Sequence, residues 1–238
     1  MHNFISYSSY GEDSILNGLM GRLKSISKTD MFVYSTYIDI GCFHPVIDNN
    51  TAFLYKGGWR GTLIDPNPAV KLEVETHRPQ DLFLELAVTT DPYINELMIF
   101  NDANSMNSMD KKFVERAQKA SNTEIIKTLK VESITIDQVF EKHIDRFGSA
   151  PSVVNIDIEG MDYDVITSFS FKHRPLFFII EDEILGSFED SKLKKFMESK
   201  NYAIVSANFL SGIYMDKENI LYGDIKKIGL YDTIEVFV

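Results

Sequence analysis

"VVNIDIEGMDYD", residues 153–164, decides how this chain is read. Val153, Val154, Ile156 and Ile158 give it the continuous apolar character of a strand covered on both faces. Asp157 interrupts that run, and Glu159, Asp162 and Asp164 follow it. A second apolar run, "PLFFIIEDE" (175–183), also ends in acids, at Glu181, Asp182 and Glu183. Two core strands ending in carboxylates need a reason, because an unpaired buried charge is costly.

Working outward, strands are predicted at 32–41, 61–68 and 81–89, and added strands at 94–102 and 125–136. Later strands are expected at 201–207, 212–216 and 233–238. Helical spacing predicts helices at 10–23, 68–77, 110–120 and 135–144, with others near 161–168 and 189–199. Such alternation indicates an α/β domain with a mainly parallel sheet. Ligands of these sheets bind outside the carboxyl ends of the strands, where the acids lie.

The 238 residues, 44% hydrophobic, carry no repeat, linker or low-complexity tract, so one domain is expected over 1–238. A formal charge of -11 disfavours a nucleic-acid partner. Cys42 is the only cysteine, which excludes an intrachain disulfide and a thiolate zinc cluster. No apolar run approaches the ~20 residues of a membrane span and the N-terminus lacks a signal-peptide pattern, so a soluble, cytoplasmic protein is expected.

"YIDIGCFHP" (37–45) pairs a strand-end acid, Asp39, with Gly41, where a glycine would let a ligand approach the backbone. The next strand ends in Asp65, the position from which an α/β nucleoside-binding fold reaches ribose hydroxyls. The G-x-G-x-x-G phosphate cradle is absent, since Cys42, Phe43 and His44 follow Gly41. A nucleoside without phosphates, such as S-adenosylmethionine, suits this arrangement. Capped strand ends with no ligand are the plain alternative.

These segments, with "YSSYGEDSIL" (7–16), "VESITIDQVF" (131–140) and "RPLFFIIEDE" (174–183), resemble the FkbM-type S-adenosylmethionine-dependent methyltransferases from about Tyr7 to Glu183. Ser9 stands where that family usually has glutamine, and Cys42 and Phe43 where it has a small residue and Asn. The resemblance implies a Rossmann-like methyltransferase fold with a seven-stranded sheet. It implies an N-terminal helical segment (about 1–30), a cofactor half (about 31–100) and an acceptor half (about 101–238). Carried over, Asp39 and Gly41 would lie beside the methionine end of the cofactor. Asp65 would bind the ribose, and Pro66 and Asn67 would pass near the adenine. Glu12 and Asp13 match a segment that would close over the site. Asn50 and Thr51 would contact the cofactor or cap the following helix. Ser105 and Asn107 would face the acceptor, a hydroxyl of a carbohydrate or other small molecule.

An alcohol is a poor methyl acceptor until a base or a metal takes up its proton. Asp157, Glu181 and Asp182 together would suit an octahedral magnesium. Without a metal, Asp157 or Glu159 would be the general base, and His44 is a further candidate. Asp162 and Asp164 read as acids at a helix N-terminus. Two other functions stay open: a metal-dependent nucleotide-sugar glycosyltransferase, suggested by "IDIEG" (156–160), and a non-catalytic cofactor-binding module.

Overall fold

The computed structural model describes residues 4–26, 35–91, 93, 95–100, 105–182, 191–208, 210–219 and 221–223. The first half comprises α1 (Glu12–Ile26), β1 (Thr36–Ile40), α2 (Ala52–Lys56), β2 (Arg60–Ile64), α3 (Ala69–His77), β3 (Leu82–Leu84), β4 (Ala87–Val88) and β5 (Glu96–Ile99). The second comprises α4 (Lys111–Ser121), β6 (Lys127–Lys130), β7 (Ser133–Ile134), α5 (Ile136–Phe147), β8 (Val153–Ile156), α6 (Asp162–Ser168), β9 (Phe177–Glu181), α7 (Lys192–Ser199), β10 (Tyr202–Asn208) and β11 (Ser211–Asp216).

Seven strands form the central sheet in the order β10-β11-β9-β8-β1-β2-β3. β9, β8, β1, β2 and β3 pair in parallel, and β11 runs antiparallel to both of its neighbours. The expected α/β, Rossmann-like architecture is therefore present, with the reversed strand near one edge. β4 pairs with β7 and β5 with β6 in two small sheets beside it.

Alternation along the strands sorts the core into two layers. Tyr37, Leu63, Val153, Phe177 and Ile179 pack with Leu16, Leu19 and Leu23 of α1 on one face. Ile38, Ile40, Val154, Ile156, Phe178 and Ile180 pack with α5, α6 and α7 on the other. Each fully buried large apolar side chain contributes about 1.5–3 kcal/mol, which holds both layers to the sheet. Successive strand residues face opposite sides, so Asp39, Asp65, Asn155, Asp157 and Glu181 continue the α1 face at or just beyond the strand ends. Asp182 continues the opposite face.

Several sequence expectations change. The apolar run at 81–89 carries two strands, because Ala87 and Val88 leave β3's sheet to pair with Ser133 and Ile134. α2, five residues long, is too short to leave a periodic signal. Asp110 caps α4 through Lys112 N at 2.8 Å, and a Thr135–Gln138 capping box opens α5. The strand expected at 233–238 lies outside the described residues, as do 32–34, 101–104 and 189–190. Among the described residues no helix is long and apolar enough to cross a membrane.

Candidate active site

β1, β2 and β8 deliver Gly41, Asp65 and Asp157 to one cleft of about 580 Å³, counting its open mouth. Pro66, Asn67, Ser105, Asn107 and Glu159 also line it. Val70, Val88, Leu97, Met109, Ile158 and Met161 supply apolar wall, so a few polar groups converge in a largely greasy cleft. A more open groove, edged by Tyr93, Asn95, Glu96, Lys112 and Asp164, shares Met109 and Met161 with it.

Asp65 is built into its turn. Its carboxylate accepts from Phe43 N at 2.9 Å and from Asn67 N at 2.8 Å, while Asn67 Oδ1 accepts from Ala69 N at 3.1 Å at the start of α3. Burial, partly opposed by those two N–H groups, raises its pKa from 3.8 to about 6. Two N–H bonds leave lone pairs on both oxygens, enough to accept from a vicinal diol.

Asp39 lies behind the cleft and is fully buried. It accepts from Asn49 Nδ2 at 2.9 Å, Thr51 Oγ1 at 2.6 Å and Asn155 Nδ2 at 2.9 Å. Asn50 Nδ2 donates to Asn155 Oδ1 at 3.0 Å. Asn50 and Thr51 thus anchor Asp39's network, and Thr51's side chain makes no cap bond to α2. Arg78, 1% exposed, closes the network from α3's end. It donates to Thr51 Oγ1 at 3.0 Å, Asn49 Oδ1 at 3.1 Å and Asp81 Oδ2 at 2.8 Å. Sequence reading missed Arg78 and Asn155, since a lone arginine after a helix and an asparagine in a strand carry no periodic signal.

Gly41 lines the cleft and also meets a second need. A Cβ there would stand 1.7 Å from the Asp157 carbonyl oxygen, and φ is +79°. The space is taken by β8's backbone, so glycine lets two strand ends meet.

At the ends of β8 and β9 the acids behave as a pair. Asp157 and Glu181 hydrogen-bond each other, and Glu181 Oε2 is buried with no partner. Burial raises both pKa values, and the neighbouring carboxylates, Asp162 for Asp157 and Asp157 for Glu181, raise them further. Their mutual hydrogen bond lowers the Asp157 pKa and raises that of Glu181, so Glu181 is the donor of the pair and Asp157 the acceptor. Asp162 holds the intervening turn, accepting from Ile158 N at 3.0 Å and Gly160 N at 3.2 Å. Glu159, at φ +53°, accepts from Ser108 Oγ through its carbonyl at 2.7 Å, which ties that turn to the 105–109 loop.

The expected magnesium set does not assemble. Asp182 faces the other side of the sheet and accepts from Ser191 Oγ, leaving Asp157 and Glu181 bonded to each other. Among the described residues no three His, Cys, Asp or Glu side chains gather as metal ligands. These residues do not fit a magnesium ion. His44 is also unsuited to be the base. Its Nδ1 accepts from Val46 N and Ile47 N, both at 3.0 Å, which fixes the proton on Nε2, 3.6 Å from Glu73. Burial lowers its pKa as well. Glu12 and Asp13 are buried at the start of α1. Asp13 binds Ser6 Oγ at 2.7 Å, Ser8 Oγ at 2.8 Å and Tyr7 N at 2.6 Å, so it folds the preceding turn. Glu12 accepts from Tyr10 N at 3.1 Å and adds to the negative field at Asp157. Cys42 is buried and its thiol pKa raised, mainly by burial, so it is a packing residue.

No curated protein and no solved structure matches the chain significantly. The family model described as the Methyltransferase FkbM domain matches residues 39–204, which runs from Asp39 through the whole cleft and across β9 into β10. That span holds both the first-strand acid and the β8–β9 carboxyl pair, and it covers well over half the sequence. The chain belongs to the FkbM methyltransferase family.

Proposed function

We propose that the protein is an O-methyltransferase that uses S-adenosylmethionine to methylate a hydroxyl of a carbohydrate or other small-molecule acceptor, with Asp157 as general base. The observation that carries this reading is that Asp65 and Asp157 face one cleft, on either side of Gly41. Residues from about 31–100 form the donor side and 101–238 the acceptor side of a single domain.

When bound, the donor would supply an electrophilic methyl group. Asp65 is suited to accept from ribose hydroxyls, and Pro66, Asn67 and Val70 to border the base. Asp157 is suited to take the acceptor's proton, because a base with a pKa brought toward neutrality is still ionised in part yet strong enough to receive it. Glu181 keeps Asp157 in place by donating to it. Ser105 and Asn107 edge the cleft beyond Asp157, and the adjoining groove offers room for the rest of an acceptor. Its exposed Tyr93 and its amide, carboxylate and ammonium groups suit a hydroxyl-rich molecule.

Calorimetric titration of S-adenosylhomocysteine into wild-type protein and Asp65→Ala tests the donor side. Saturable binding that is lost in the variant supports the reading. Absence of binding by folded wild-type protein would sink it.

A further inference from the structure

Resting on the reading of this cleft as a nucleoside site, we propose that Phe43 is a binding residue whose ring forms the wall against which the planar base lies. Phe43 has φ +46°, a region that bulky side chains rarely occupy. The other non-glycine residues with positive φ among the described residues have evident reasons. Asp48, Asn122 and Asn201 are of types that tolerate that region. Glu159 is held by Ser108. Phe171, at φ +55°, is surrounded by aromatic rings, with centroids 4.8 Å away at Phe169, 5.9 Å at Tyr202, 6.0 Å at Phe196 and 6.2 Å at Phe178.

Phe43 has no such surroundings. It belongs to none of the buried apolar clusters, and among the described residues its ring contact is His44, at 6.5 Å. It lines the cleft beside Asp65, Pro66 and Val70. The left-handed backbone has a purpose, because it aims Phe43 N at Asp65 Oδ2. Asparagine or glycine would hold the same backbone with less strain. The ring therefore has its use in the cleft, next to the acid suited to the ribose, where an aromatic face meets a purine face.

The test is titration of S-adenosylhomocysteine, and of S-ribosylhomocysteine, which lacks the base, into wild type, F43N, F43A and F43Y. F43N and F43A should weaken S-adenosylhomocysteine about 5- to 150-fold, with little effect on S-ribosylhomocysteine. F43Y should keep wild-type affinity. The melting midpoint of ligand-free F43N should hold or rise, because asparagine relieves the backbone. Equal affinity in F43N and wild type would overturn the proposal, as would a fall in the F43N midpoint accompanying the lost affinity. Wild-type protein that binds neither ligand would sink the nucleoside reading of the cleft and Phe43's role with it.

Discussion

Gly41→Ala tests the joint between the donor and acceptor strands. The new Cβ would lie 1.7 Å from Asp157 O, 2.8 Å from Asp157 C and 3.0 Å from Ile158 Cγ2. A comfortable carbon–oxygen contact is about 3.3 Å, so β8's end would have to retreat by roughly 1.6 Å. The nearest obstacle is backbone, so no rotamer change relieves it. Overpacking costs about 1–3 kcal/mol and left-handed alanine about 1–2 kcal/mol more, for a total near 2–5 kcal/mol. At roughly 2–4 °C per kcal/mol for a chain of this size, the melting midpoint should fall by about 4–20 °C. Gly58→Ala is the control, because Gly58 has φ +93° but nothing within 4 Å of its added Cβ. It should show the backbone cost alone. Thermal denaturation followed by circular dichroism reads both variants. If Gly41→Ala melts no lower than Gly58→Ala, β8 does not abut Gly41, and the geometry of the cleft is wrong.

Asp157→Asn should lower methyl transfer by about 10²- to 10⁴-fold while S-adenosylhomocysteine still binds; unchanged turnover would remove Asp157 as base. Glu181→Leu removes the hydrogen bond that lowers the Asp157 pKa, so the acid limb of the rate profile should move to higher pH. A limb that stays put would show that Glu181 does not donate to Asp157. Asp65, with its pKa near 6, must be ionised to accept two hydroxyl donors, so S-adenosylhomocysteine affinity should fall as pH drops through about 6, by up to tenfold per unit. That dependence should be absent from Asp65→Asn, which keeps a hydrogen-bonding side chain that does not titrate, and its persistence there would assign it elsewhere. Arg78→Met leaves Asp81 without its cation and should cost about 3–5 kcal/mol, read in urea denaturation. A loss below about 1 kcal/mol would mean that the buried pair is not a structural tie.

The sequence by itself determined the class of fold and the level of the site. Continuous apolar runs at 153–158 and 176–181, alternating with helical spacing, specify buried parallel strands, and the acids at their ends must then lie at the ligand-binding edge. The period of two also contains the separation of Asp182 from Glu181, but only once a register fixes which face is which. Partnership was decided by the tertiary structure. Whether Asp157 meets Glu181 or a metal, whether Thr51 caps a helix or holds Asp39, and whether Gly41 must also make room for Asp157's carbonyl all depend on groups far apart in the chain. His44 likewise reads as a candidate base until Val46 N and Ile47 N are found on its Nδ1. Local periodicity reports which side of an element is buried. The protonation and hydrogen bonding of a buried polar group are set by the few atoms around it, and only the packed sheet brings those together.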